Sequence, residues 1–99
     1  MMDLGRVVGF EWDAGNARKN EKHGVAASEA EQVFFDPHLL MVADTSHSAG
    51  EPRFHSMGVT IDGRYLHVTF TLRADGSRIR IISARDMHRK ERQIYDRKD

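Results

Sequence analysis

The sequence predicts an α+β fold: an antiparallel meander sheet with two helices before it and one after it. Three observations carry this. Leu66, Val68, Phe70 and Leu72 alternate with Tyr65, His67, Thr69, Thr71 and Arg73, the period of a strand with one buried face. Asp62-Gly63 and Asp75-Gly76 set turn signals on either side of that strand. Ahead of the meander, Asp13 and Ser28 each open a stretch with a helix-capping pattern.

Taken in order, Val7 to Trp12 is a first short strand. Asp13 suits an N-cap, and the helix it opens runs to His23, with Lys22 and His23 in its last turn and Gly24 as the stop. Ser28-Glu29-Ala30-Glu31 has capping-box spacing and opens a second helix through Phe35, which Asp36-Pro37 ends. Leu39 to Ala43 is an apolar strand. The polar stretch 44–52, which includes His47, is too short for a linker between domains. Strands at 53–61 and 64–72 follow, joined at Asp62-Gly63. A two-residue hairpin there pairs position 61 with 64, which sets His55 opposite Phe70 and Met57 opposite Val68. A strand at 78–84 comes next. A helix from Asp86 to Arg97 completes the chain, with Met87, Ile94 and Tyr95 facing inward.

The length of 99 residues is that of one small domain, 1–99, with a modest core drawn from Phe10, Trp12, Val33, Phe34, Leu66, Val68, Phe70, Ile79 and Ile81. Without cysteine, neither disulfides nor thiolate metal sites support the fold. The apolar runs are too short to span a bilayer and no basic-then-apolar leader stands at the start, so a cytoplasmic protein without a membrane partner is expected. The formal net charge of zero hides an asymmetry. Residues 1–52 carry four basic groups against nine acidic ones, whereas residues 73–99 carry nine basic against five acidic. Such a split hints at a polyanionic partner.

The basic third contains Arg73, Arg78, Arg80 and Arg85 on two strands around one turn. Guanidinium forks on a rigid sheet suit phosphate, because each donates two parallel hydrogen bonds to one anionic group. RNA is therefore the first ligand to consider.

Five motifs stand in order along the chain: Phe10-Glu11-Trp12-Asp13, Asn20-Glu21-Lys22-His23-Gly24-Val25, Val33-Phe34-Phe35-Asp36-Pro37, Glu51-Pro52-Arg53-Phe54 and Ile79-Arg80-Ile81-Ile82-Ser83-Ala84-Arg85. Together they resemble the BrnT family, toxins of type II toxin–antitoxin pairs. The resemblance implies a RelE-like fold, a ribonuclease that inhibits translation, and neutralisation by a BrnA-type antitoxin. It also implies contact with operator DNA only through that antitoxin. Where the family often has Lys after Trp-Asp, this chain has Gly15-Asn16, and that position is assigned no role.

RNA is cut without metal when its own 2′-hydroxyl attacks the adjacent phosphate. The protein must then move two protons and stabilise charge on the phosphorane oxygens. Arg85, where the last strand gives way to the helix, is the leading catalytic candidate, and Arg80 is next. Their opposite parity points them to opposite faces unless the strand ends or bulges between them. Arg53, which opens a strand after the polar loop, is a further phosphate contact or an edge charge that discourages sheet pairing. Lys22 and His23 complement a helix C-terminus, and the motif match adds a role in proton donation or phosphate contact. Arg73 and Arg78 flank a turn and read as solvated charge or peripheral substrate-binding groups. Tyr95 either packs or presents its hydroxyl to the substrate.

His55 and His67 could serve as general base or acid, since the histidine side chain as a type titrates near neutrality, but the expected register does not bring them together, so both read as structural. Six histidines raise the question of metal. No His-x₃-His pair or other ligand spacing is present, so neither metal nor other cofactor is expected. The competing reading is a non-catalytic RNA- or protein-binding module acting mainly in an autoregulatory complex.

Overall fold

The structure, a computed structural model, describes residues 4–46 and 50–97; His47 of the polar loop lies outside them. The first strand is β1 (Gly9–Glu11). Asp13 then caps α1 (Ala14–Lys22): its carboxylate accepts from the N–H groups of Gly15 at 2.9 Å and Asn16 at 3.2 Å. Gly24 takes a left-handed φ of 67° just beyond the helix, where a β-carbon would be strained.

The second helix, α2 (Ala27–Gln32), begins two residues before the predicted start. Glu29, not Glu31, reaches back to the N-cap, accepting from the Ala26 N–H at 3.0 Å. Glu31 is engaged elsewhere, taking the Trp12 indole N–H at 2.7 Å. A 3₁₀ turn, Val33–Phe35, carries the chain to Asp36.

Four strands follow: β2 (Leu40–Asp44), β3 (Arg53–Val59), β4 (Tyr65–Arg73) and β5 (Arg78–Asp86), then α3 (Arg89–Arg97). The sheet order is β1-β5-β4-β3-β2. The meander is antiparallel as expected, but β1 runs parallel to β5, so the sheet is mixed rather than purely antiparallel. Turn signals fix the orientation of strands joined by turns. They say nothing about β1, whose partner is set by where the two helices carry the chain.

Two local features set the faces. The β3–β4 loop has three residues, Ile61-Asp62-Gly63, not two: the Thr60 N–H donates to the Arg64 carbonyl, and the Gly63 N–H to the Thr60 carbonyl, both at 2.9 Å. Gly63, at φ 87°, closes it in the manner of a glycine bulge. The register is therefore one residue away from that expected, with His55 opposite Thr69 and Met57 opposite His67. The second feature is a bulge in β5, where Thr69 pairs with Ser83 but Phe70 pairs with Ile81, leaving Ile82 as the extra residue.

The core lies between the sheet and the two N-terminal helices. Val25, Ala30 and Val33 pack with Leu66, Val68, Phe70, Ile79, Ile81 and Ala84. Gly58 makes room for this packing: a β-carbon there would stand 2.8 Å from Val33 Cγ1. The third helix sits apart, held through Tyr95, whose hydroxyl donates to Asp36 and whose ring meets Tyr65 edge-on at 5.6 Å. Asp36 also accepts from the Val59 N–H at 2.8 Å. Burial and this carboxylate both push the Tyr95 hydroxyl above its ordinary pKa. Ile94 does not face inward as expected but is exposed, because α3 meets the sheet through Glu91 and Tyr95, one turn apart.

Asn16 has the structural role that the motif comparison left open. Its buried amide donates to the carbonyls of Glu11 and Ile81, both at 2.9 Å, and accepts from the Asp13 N–H at 2.7 Å. It thus extends the β1–β5 pairing past the end of β1 and satisfies a carbonyl at the bulge. Asn16→Ala is expected to lower stability by about 2 kcal/mol, because buried polar groups lose their partners. Urea unfolding measures this; an unchanged midpoint would contradict it.

Candidate active site

The β5 bulge determines which side chains meet. Ile79 and Ile81 enter the core before it and Ala84 enters after it, so the parity changes between them. Arg78, Arg80, Ser83 and Arg85 consequently share the face opposite the core, with the start of α1 standing beside Arg80. Arg53 and Arg73 join them through pairing with Asp44 and Arg78. The five arginines singled out in the sequence thus lie on one face.

Most of them are held by carboxylates. Arg80 Nη1 stands 3.2 Å from Glu11 and 2.8 Å from Asp13. Arg73 contacts Glu51 at 2.7 Å and Glu11 at 3.4 Å. Arg78 is exposed at the start of β5. Arg85 forms a two-pronged pair with Glu91, donating from Nη1 and Nη2 at 2.8 and 2.9 Å. Glu91 also accepts from the His88 N–H at 2.8 Å, so one carboxylate caps α3 and orients Arg85.

Beside Arg85 lies a group that the expected register did not assemble. The rings of His55 and His67 are 5.0 Å apart between centroids. His55 Nε2 stands 2.7 Å from Asp44 Oδ2, and its Nδ1 is 3.0 Å from Thr69 Oγ1. The carboxylate accepts, so Nε2 carries the proton, and in the neutral ring Nδ1 accepts from the threonine hydroxyl. His67 Nε2 is 3.8 Å from Glu91, and its side chain is 12% exposed. The pair lines an open cavity of about 380 Å³ whose other walls are Leu40, Met41, Val42, Met57, Ile94 and Glu91. An apolar cleft with a few convergent polar groups is the ordinary form of a binding site.

Burial holds the His67 imidazole down to about 4; the Arg85 cation acts in the same direction and the Glu91 carboxylate against it. The hydrogen bonds from Arg85 hold the Glu91 carboxyl down to about 2. Near neutrality, His67 is therefore uncharged and Glu91 ionised. Because His67 binds its proton less well folded than unfolded, its contribution to stability is complete above its ordinary value near 6.5. It is lost as pH falls toward about 4. Glu91 acts with the same sign at lower pH, from its ordinary value of 4.5 downward. Urea midpoints should drop between pH 6.5 and 4 by an amount equivalent to about 2 kcal/mol. His67→Asn should flatten that window, and a variant curve parallel to wild type would contradict the assignment.

Lys22 and His23 are exposed at the C-terminal end of α1. Among the described residues neither forms a hydrogen bond or ion pair with the five arginines. Tyr95 is buried against Tyr65 and Asp36, where it holds α3 in place. Asp44 was missed in the sequence because it meets His55 only across the β2–β3 pairing, and Glu91 because the bend between β5 and α3 that brings it to Arg85 has no spacing signal. The three-residue turn ending in Gly63 was the one local signal for the histidine pairing. Among the described residues, no group of three or more His, Asp or Glu side chains is gathered to hold a metal ion. Nor is any described helix long and apolar enough to cross a membrane.

No curated protein matches the chain. Residues 12–91 match the family profile described as the ribonuclease toxin BrnT of a type II toxin–antitoxin system. That span takes in α1 and α2, the four strands of the meander, the arginine face, both histidines and Glu91. The chain therefore belongs to the BrnT family of ribonuclease toxins.

Proposed function

We propose that residues 1–99 act as one RelE-like toxin domain that cuts RNA without a metal ion and thereby inhibits translation. The RNA lies across the open face of the sheet. Arg85 and Arg80 stabilise charge on the phosphorane, Arg53 gives a further phosphate contact, and Arg73 and Arg78 hold flanking backbone phosphates. The observation that carries this reading is the β5 bulge, which turns Arg80 and Arg85 to the same face despite their opposite parity. Preorganised cations aimed at developing charge are the largest single source of rate in such reactions.

The carboxylates now on these arginines are compatible with this role, since phosphate competes for the same donors. Lys22 and His23 belong to a second, peripheral contact with the RNA rather than to the reacting phosphate. Tyr95 supports the site by anchoring α3.

Activity in the cytoplasm follows from the substrate. The partner is a BrnA-type antitoxin that covers the arginine face or its rim with acidic and apolar side chains. Operator DNA is reached only through that antitoxin. In a translation extract, the purified protein should abolish protein synthesis and shorten the messenger RNA, and added antitoxin should restore both. Full-length messenger with undiminished synthesis would contradict the reading.

A further inference from the structure

We infer that His55 and His67 are the proton-transfer pair of the cleavage reaction, with His67 as general base, His55 as general acid and Asp44 as the residue that positions His55. This rests on the ribonuclease reading above and extends it to the proton movements.

Geometry carries the assignment. The two rings stand 5.0 Å apart on neighbouring strands, in contact with each other and close enough for both to reach one phosphodiester bound over them. Both line the same open cavity, so a substrate reaches them without rearrangement of the core. Arg85 is paired across β4–β5 with His67, so its guanidinium lies beside the place where charge would develop.

The surroundings differ in a way that separates the two roles. His55 faces Asp44 from β2 at 2.7 Å and Thr69 from β4 at 3.0 Å, so both of its ring nitrogens are oriented by partners. His67 faces Arg85 from β5, Glu91 from α3 and His55 from β3, and it is the more enclosed of the two. One ring oriented by a carboxylate and one enclosed beside a guanidinium are in different surroundings, which suits them to different roles in proton transfer.

The step balances without any co-reactant. A ring nitrogen of His67 takes the 2′-hydroxyl proton as the O2′–P bond forms. The P–O5′ bond breaks, and the His55 imidazolium gives its proton to the departing 5′-oxygen. The products are a 2′,3′-cyclic phosphate and a 5′-hydroxyl.

The test measures cleavage of a labelled RNA, naked and on translating ribosomes, by wild type, Arg85→Ala, His55→Asn and His67→Asn, with thermal melting to confirm folding. Each histidine variant should lose roughly 10²–10⁴ in rate. His67→Asn should remove the acid limb of the pH–rate profile and His55→Asn the alkaline limb. An RNA with sulfur in place of the scissile 5′-oxygen needs no proton on its leaving group, so it should restore cleavage by His55→Asn but not by His67→Asn. Asp44→Asn should lose less rate than His55→Asn and should be restored by the same substrate change that restores His55→Asn. If His67→Asn does not fold, His67→Gln takes its place. Inactive Arg85→Ala beside histidine variants that cut like wild type would overturn this inference and leave the ribonuclease reading standing. No cleavage by wild type in either setting would overturn both.

Discussion

Arg85→Ala should cut RNA roughly 10²–10³ more slowly than wild type, the cost typical of removing one preorganised donor to a developing oxyanion. The guanidinium is held by its pair of hydrogen bonds to Glu91, which fixes its plane before any substrate arrives. In the proposed reaction, negative charge accumulates on the non-bridging phosphate oxygens, which compete with Glu91 for the guanidinium donors. Arg85→Lys should recover only part of the rate, since an ammonium lacks the planar fork.

The fold should survive the change. The ion pair is partly solvated, and pairs of that kind contribute about 0–1 kcal/mol. Glu91 keeps its hydrogen bond from His88 in either variant. Circular dichroism and a cleavage time course on the same preparations separate the two effects. A folded Arg85→Ala that cuts at the wild-type rate would remove Arg85 from the mechanism.

Phe70→Ala should unfold or nearly unfold the domain, costing about 3–5 kcal/mol. Its ring is wholly buried, meets Phe34 edge-on at 4.9 Å, and lies 5.5 Å from Phe54. It also stands at the register shift between β4 and β5, so the cavity left by truncation would open where the bulge is held. A small domain has little stability in reserve, and a loss of this size is a large part of it. Phe70→Leu, which keeps most of the volume, should cost clearly less. Urea unfolding of both variants checks the ranking; a Phe70→Ala midpoint close to wild type would show that the core is not centred there.

The meander, the capping of α1 and the apolar face of β4 were legible in the sequence because each rests on a local signal. Asp13, Gly24 and the alternation from Tyr65 to Arg73 each decide their own conformation. The parallel placement of β1 was not legible, since it depends on the path of the chain through two helices.

The arginines were legible as a set, but their common face was not, because it hangs on one inserted residue at Ile82. The histidine pair was hidden by a similar margin: moving the β3–β4 loop from two residues to three shifts the register by one and changes which side chains are neighbours. Asp44 and Glu91 are each defined by the residue they face, His55 across β2–β3 and Arg85 across the β5–α3 bend. The features that organise the site are thus the two irregularities of the sheet, which period-two reasoning passes over.

The most direct measurement is cleavage of labelled RNA by the purified protein in excess EDTA, naked and on translating ribosomes, with the ends of the products identified. Metal-independent attack by the 2′-hydroxyl predicts undiminished cutting, with a 2′,3′-cyclic phosphate on one fragment and a 5′-hydroxyl on the other. Cutting that stops in EDTA and returns with added divalent metal, or that leaves a 5′-phosphate, would contradict it.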